Sequence, residues 1–115
     1  MTSDLTRSSP FYNEEHVALA DTARRFVERE ITPHIQVWED AGAFPRELYL
    51  RAGETGLLGL GFPESYGGTD CDGFAKLLLT LELTRAGSGG IVAGLMSHGI
   101  GLPPILALGS EEMKR

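Results

Sequence analysis

The sequence has one cysteine, few basic residues and no long basic cluster. Its 115 residues include ten Lys and Arg against sixteen Asp and Glu, which gives a formal net charge of −6. Cys71 alone cannot form an internal disulfide, so a disulfide-stapled fold is excluded and a reducing compartment is expected. Nucleic-acid binding needs clustered basic side chains, and no basic run is longer than a pair such as Arg24-Arg25. We therefore expect no nucleic-acid partner.

Targeting signals are also missing from the first ten residues, MTSDLTRSSP. They lack the apolar core of a secretory signal and the arginine-rich, acid-poor character of a mitochondrial targeting segment. This favours a cytoplasmic protein with a flexible N-terminal arm over residues 1–12. The remaining composition, with 42% apolar and 23% charged residues overall, is typical of one globular domain.

One run with few polar residues, at positions 91–108, is long enough to raise the question of a membrane span. Ser97, His98 and the pair Pro103-Pro104 interrupt it, and no basic loop flanks it. The interpretation that we favour is a buried core helix, and we predict no membrane span.

The first long helix is predicted to begin after Asn13. Asn13 is a natural N-cap, and the two acids that follow it suit the positive end of the helix dipole. Apolar residues at positions 17, 20, 23, 27 and 31 form a stripe at helical spacing. Pro33 interrupts the helix because it lacks an N–H, and helix is predicted to resume and to end by Gly42.

A short second helix is predicted over Arg46–Thr55, with Pro45 before it and Gly56 as its stop. The following stretch, at positions 57–70, mixes apolar residues with Gly and Pro. It is therefore interpreted as a partly buried connector, in which a short strand at positions 57–60 stays possible.

The helix predicted over positions 74–86 is expected to be the most buried one, with its N-cap in Asp70-Cys71-Asp72. Lys76, Thr80 and Thr84 form a narrow polar stripe beside its leucines, which is typical of a helix in the middle of a bundle. After the glycine-rich positions 87–90, a second apolar helix is predicted from position 91 to about 102. A short helical turn is expected after Pro103-Pro104, ending at Gly109.

Ser110, followed by Glu111 and Glu112, has the pattern of a helix start. Because five residues cannot offset the cost of helix nucleation, we expect the chain to be the front part of a longer protein. These elements together predict an all-α fold, an orthogonal bundle of about five to six helices.

No complete catalytic apparatus is visible. The glycines at positions 59–61 and 87–90 do not extend to a phosphate-binding fingerprint, and the three histidines lack metal-ligand spacing. Glu54 and Glu82 are candidate general bases without a partner, so a solvated or capping carboxylate is the default interpretation. His16 is expected to be exposed, and His98 to bond to a backbone carbonyl.

One surface suits an apolar ligand. In a continuous helix, Ala93, Met96, Ser97 and Ile100 share a face at spacing i, i+3, i+4 and i+7. The glycines around them allow close approach, and Met96 offers an adaptable apolar wall. From the residues alone, core packing and a ligand wall both stay open.

Three strings resemble the N-terminal helical domain of the acyl-CoA dehydrogenase family. They are RRFVEREITPH at positions 24–34, FPRELYLRAGETGLLGLGFPESYGG at 44–68 and PPILALGSEEMKR at 103–115. Each string is modest, but their order and spacing are fairly specific. The resemblance covers almost the whole chain from Phe11, and it marks residues 13–115 as the helical domain.

The resemblance implies a longer polypeptide whose middle β-domain and C-terminal helical domain are absent from this sequence. It implies FAD and the oxidation of an acyl-CoA thioester to its trans-2-enoyl form, with a glutamate base in the absent C-terminal region. It therefore assigns this segment no catalytic, cofactor-binding or metal-binding residue, and the segment alone is predicted to be inactive. Electron-transfer flavoprotein is the expected acceptor, and a homo-oligomer, tetramer or dimer, is expected.

Position for position, the resemblance makes Ala93, Met96 and Ile100 the substrate-binding residues that line an acyl tunnel. Related acyl-CoA oxidases and flavin monooxygenases are alternatives from the same architecture. A stand-alone helical interaction module without redox activity is an alternative from a different class.

Overall fold

In a computed structural model, residues 9–115 are described, and their regular structure is helical. The seven α-helices of this part are α1 Glu14–Phe26, α2 Ile35–Ala41, α3 Arg46–Glu54, α4 Gly73–Thr84, α5 Gly89–Leu95, α6 His98–Leu108 and α7 Glu111–Lys114. No strand occurs within residues 9–115, where a single parallel bridge joins Leu60 to Thr69. The prediction of an all-α fold is confirmed, and most of the predicted N-terminal arm lies outside the described residues.

Helix α1 begins where the sequence predicts, at a reciprocal cap. The Asn13 side chain accepts a hydrogen bond from the His16 N–H at 3.0 Å, and the Asn13 N–H donates to His16 Nδ1 at 3.0 Å. This capping box satisfies two backbone donors that the first turn leaves without a helical partner. The predicted cap at Asn13 is confirmed.

The interruption predicted at Pro33 is also present. After α1 the chain forms a π-helical turn, Val27–Ile31, and a 3-10 turn, Thr32–His34, before α2 begins. Gly42 ends α2 with φ +70°, a left-handed conformation that favours glycine. The regular α-helix is therefore interrupted between Val27 and His34, a stretch that includes Pro33, and α2 stops where the sequence predicts.

The hydrophobic core lies among α1, the π-helical turn, α3, α4 and α5. Leu48 of α3, Leu83 of α4 and Leu95 of α5 are each about 1% exposed at its centre. The most extensive helix–helix contact joins α1 to α4. Phe26 and Ile31 add buried side chains from the first helical segment, so that one core serves the described chain.

Helix α4 is less enclosed than the sequence predicts. Asp72 caps it as expected, because its carboxylate accepts the Ala75 N–H at 2.8 Å. However, Leu77 and Leu81 are each about half exposed. The expectation of a helix in the middle of a bundle is wrong for this structure, since only the side of α4 that faces the core is covered by other described residues.

The connector between α3 and α4 folds back tightly on itself. The Gly61 N–H donates to the Thr69 carbonyl at 2.7 Å, and the Thr69 N–H donates to the Gly59 carbonyl at 2.9 Å. A Cβ on Gly68 would lie 2.3 Å from the Phe62 carbonyl oxygen, so only glycine fits this crossing. A bridge at Leu60 takes the place of the strand considered for positions 57–60.

Candidate functional site

The apolar segment 89–108 is two helices rather than the single helix predicted to end near position 102. Helix α5 ends at Leu95, and α6 begins at His98 and continues through Pro103 and Pro104 to Leu108. At Met96 the backbone leaves the helical region, with φ −106° and ψ 11°. The two prolines each remove one N–H from the α6 ladder, but they do not end the helix as predicted.

Side-chain hydrogen bonds hold both helices beside this break. The Gly94 carbonyl accepts the Tyr49 hydroxyl at 3.0 Å and the Ser97 hydroxyl at 3.1 Å. His98 Nε2 lies 2.7 Å from the Leu58 carbonyl oxygen, which can only accept, so Nε2 carries the hydrogen. The prediction that His98 bonds to a backbone carbonyl is confirmed.

The three predicted substrate-binding residues lie on both sides of the break. Ala93 is exposed on α5, Met96 is half-buried in the turn against the core, and Ile100 is 83% exposed on α6. Because the helix is interrupted between them, they do not form one continuous helical face with Ser97. The predicted spacing of i, i+3, i+4 and i+7 along one helix therefore does not describe how these residues are arranged.

Most of the segment is open, so its interpretation as a buried core helix is wrong beyond Leu95. Ile91 and Leu95 are buried, whereas Leu102 and Leu108 are 42% and 89% exposed. By length and composition, Gly89–Leu108 is the one described segment apolar enough to cross a membrane. Its exposure arises because no other described residues cover the outer side of α6.

A separate cavity of about 330 Å³ lies beside α6 and the connector. Its wall is apolar, with polar groups from His98, Tyr66 and Lys114. The Tyr66 hydroxyl donates to the Glu111 carboxylate at 2.7 Å, and this bond is the main cause of a raised pKa at Tyr66. Ala93, Met96 and Ile100 are not among the residues that line this cavity.

His16, predicted to be exposed, is buried between two helix starts. Its Nε2 lies 2.9 and 3.0 Å from the two carboxylate oxygens of Asp72, while Nδ1 accepts the Asn13 N–H. The bond from His16 is the largest cause of the lowered pKa of the Asp72 carboxyl. The partners are 56 positions apart, so no local signal in the sequence could have indicated this pair.

The two candidate bases have different surroundings, and neither has a catalytic arrangement in the described chain. Glu54 is exposed at the end of α3. Glu82 is 3% exposed, contrary to the default of a solvated carboxylate, and its Oε2 lies 3.0 Å from Arg85 Nε. That contact is an ion pair without good hydrogen-bond geometry, and burial raises the pKa of Glu82. Burial likewise raises the pKa of the Cys71 thiol.

The described residues offer no phosphate cradle at the glycine-rich positions 87–90 and no cluster of metal ligands. At the glycine-rich positions 87–90, Ser88 caps α5 and its hydroxyl donates to the Glu39 carboxylate. A carboxylate at this helix start opposes a second anion such as a phosphate group. No group of three or more His, Cys, Asp or Glu within residues 9–115 is arranged to hold a metal ion.

Comparison with known proteins gives a consistent result. The family described as "Acyl-CoA dehydrogenase, N-terminal domain" matches residues 13–115. A probable acyl-CoA dehydrogenase of Bacillus subtilis is 37% identical over 118 residues, covering 100% of this chain and 19% of that protein. A crystal structure of a probable acyl-CoA dehydrogenase from Mycobacterium abscessus is 47% identical, with a TM-score of 0.83 over 89% of this chain and 27% of its own.

A structure described as an electron transferring flavoprotein of Acidaminococcus fermentans matches with 29% identity and a TM-score of 0.78. The match covers 92% of this chain and 28% of that one. The chain thus spans less than a third of the length of each of these three proteins. The matched residues, the all-helical fold and the similarity to solved structures agree, and the chain belongs to the acyl-CoA dehydrogenase family, as its N-terminal domain.

Proposed function

We propose that this domain forms part of the acyl-chain pocket of an enzyme that oxidises an acyl-CoA thioester to the trans-2-enoyl-CoA. Ala93, Met96 and Ile100 are proposed as its substrate-binding residues. The observation that carries the proposal is the open, uncharged surface of α5 and α6, on which Ile100 is 83% exposed. Family membership supports the class of reaction.

The chemistry of this surface suits a hydrocarbon chain. Segment 89–108 contains no Asp, Glu, Lys or Arg, so an acyl chain that lies on it desolvates no charged side chain. Each methylene that leaves water contributes about 0.8 kcal/mol, so several methylenes in contact supply useful binding energy. Met96, half-buried at the break between α5 and α6, offers a flexible contact between the two helices.

The remaining chemistry is proposed for the rest of the polypeptide. In this proposal residues 13–115 are followed by a middle β-domain and a C-terminal helical domain, which bind FAD and supply the glutamate base. FAD would supply the acceptor for the β-hydrogen, and none of the described residues is assigned to it. The isolated domain is therefore proposed to be inactive.

Further properties of the complete protein are part of the same proposal. Electron-transfer flavoprotein is the proposed electron acceptor, by resemblance to the family. A cytoplasmic location is part of the proposal. A tetramer or dimer is proposed by resemblance to the family.

Flavin absorbance of the complete protein, purified without added cofactor, tests the proposal. A yellow protein whose flavin band bleaches when a saturated acyl-CoA is added without oxygen is the expected result. Bleaching followed by rapid oxygen consumption would identify an oxidase instead. A colourless protein that binds no acyl-CoA would contradict the proposal and would favour an interaction module.

A further inference from the structure

We propose that Tyr49 and His98 are positioning residues for substrate selection, because they fix α5 and α6 on either side of the break at Met96, the bend. The inference rests on the proposed function, in which Ala93 and Ile100 contact the acyl chain on either side of the bend. Neither Tyr49 nor His98 is proposed to contact the substrate. Their effect on chain-length preference is instead transmitted through the position of the two helices.

Tyr49 holds the end of α5 through a carbonyl that the bend exposes. In a continuous helix the Gly94 carbonyl would accept the N–H of residue 98, but the break at Met96 ends the ladder first. The Gly94 carbonyl instead accepts two hydroxyls, from Tyr49 at 3.0 Å and from Ser97 at 3.1 Å. Of these two hydrogen bonds, only the one from Tyr49 joins α5 to α3.

Close packing allows α5 little freedom at the same point. A Cβ on Gly94 would lie 2.9 Å from Phe44 Cε1, so the glycine backbone already rests against this ring. The Phe44 and Tyr49 rings are themselves in contact, with centroids 5.1 Å apart. The hydrogen bond therefore acts at a surface where a small shift of α5 would create a clash or a gap.

His98 holds the start of α6 in a similar way. Its Nε2–H donates to the Leu58 carbonyl at 2.7 Å, and its ring lies beside Phe62, with centroids 6.1 Å apart. Leu58 is half-buried against the main core, so the acceptor is well anchored. His98 is the first residue of α6, and Ile100 follows two positions later.

Both hydrogen bonds attach to the same stretch of the chain, α3 and the connector that follows it. Tyr49 lies on α3 and Leu58 on the connector that follows it, and between them Ala52 and Leu57 are buried in the core. The two helices are therefore positioned from the same platform, one on each side of Met96. Loss of either hydrogen bond should change the spacing of Ala93 and Ile100, and with it the space for an acyl chain.

The test uses the complete protein and compares one short and one long saturated acyl-CoA. Tyr49→Phe and His98→Leu each remove one anchor, and we expect the ratio of kcat/KM for the two substrates to change by about three- to tenfold. His98→Gln keeps an N–H donor and should restore the ratio to within about twofold. Tyr12→Phe, which removes a tyrosine hydroxyl beside His16 at the start of α1, is the matched control and should leave the ratio unchanged.

Binding provides a second readout that does not require turnover. Thioether analogues of the same two substrates lack the carbonyl that acidifies the α-carbon, so they bind without reacting. The ratio of their Kd values should shift in the same direction as the ratio of kcat/KM. A purely structural role would lower Tm without moving either ratio, and that result would overturn the inference.

Ile100→Trp separates this inference from the function on which it rests. If Ile100→Trp alters chain-length preference but Tyr49→Phe and His98→Leu do not, the positioning role is wrong and the acyl pocket stands. If Ile100→Trp also leaves the preference unchanged, the proposed pocket fails as well. Should His98→Leu not fold, the loss of a single hydroxyl in Tyr49→Phe decides the matter.

Discussion

At the residue scale, His16 joins the starts of two helices that are distant in sequence. Its Nδ1 completes the capping box of α1, and its Nε2 bonds to Asp72, the N-cap of α4. Asn13 and Asp72 were predictable as caps because a cap is recognised from its immediate neighbours. The burial of His16 was not predictable, because it depends on contacts that only the folded chain brings together.

We predict that His16→Ala lowers the free energy of unfolding by about 1–3 kcal/mol, because one cap and one long-range hydrogen bond are lost. His16→Gln should cost less, since glutamine at this position can complete a capping box. Urea unfolding of the two variants measures the difference. Equal losses in both would show that the cap contributes nothing.

The lowered pKa of Asp72 predicts acid sensitivity. A carboxyl whose pKa is lower in the folded state stabilises the fold above its unfolded pKa, and this contribution is lost as pH falls through the folded pKa. Asp72→Asn keeps a good N-cap but cannot titrate. Unfolding free energies measured from pH 6 down to pH 2 should therefore fall less steeply in Asp72→Asn, and identical slopes would contradict the prediction.

Glu82 should have the opposite pH dependence. Because burial raises its pKa, the contribution of Glu82 to stability is greatest below the unfolded pKa and is lost as pH rises through the folded pKa. Glu82→Gln removes this titration and the buried charge. As the pH rises from 4 to 8, we expect the free energy of unfolding of Glu82→Gln, measured in urea, to increase relative to that of the parent. A constant difference across this range would refute the assignment.

At the element scale, the helices with local signals were predictable and the bend was not. Single residues predict the stops at Gly42 and near Gly56, the interruption at Pro33 and the cap at Ser110, and the structure has each of them. The break at Met96 has no such signal. It coincides with hydrogen bonds from Tyr49 and to Leu58, which are about forty positions away.

Close contact of α5 with Phe44 predicts a strong difference between two glycines of this helix. Gly94→Ala places a methyl group 2.9 Å from Phe44 Cε1 and should destabilise the chain by about 1–3 kcal/mol. Gly90→Ala meets no atom within 4 Å, so improved helix propensity should leave stability unchanged or raised by up to about 1 kcal/mol. Thermal unfolding of both variants is the measurement, and equal Tm values would contradict the close packing.

At the scale of the whole molecule, apolar side chains are divided between a core and an open surface. The core lies among α1, α3, α4 and α5, whereas α6 leaves Ile100 and Leu108 more than 80% exposed. Composition and periodicity indicated the apolar character of this segment, but they cannot distinguish a covered surface from an open one. That distinction needs the position of every neighbouring element. The choice of Ala93, Met96 and Ile100 rested on helical spacing together with family resemblance.

The most direct test of the account is the chain-length profile of the complete enzyme after Ile100→Trp. If the open side of α6 lines the acyl pocket, the indole fills it, and kcat/KM for long acyl-CoA substrates should fall at least about tenfold while short substrates are spared. Val37→Trp, at a residue 67% exposed on α2, is the matched control and should leave the profile unchanged. A profile for Ile100→Trp that matches the parent at every chain length would contradict the account.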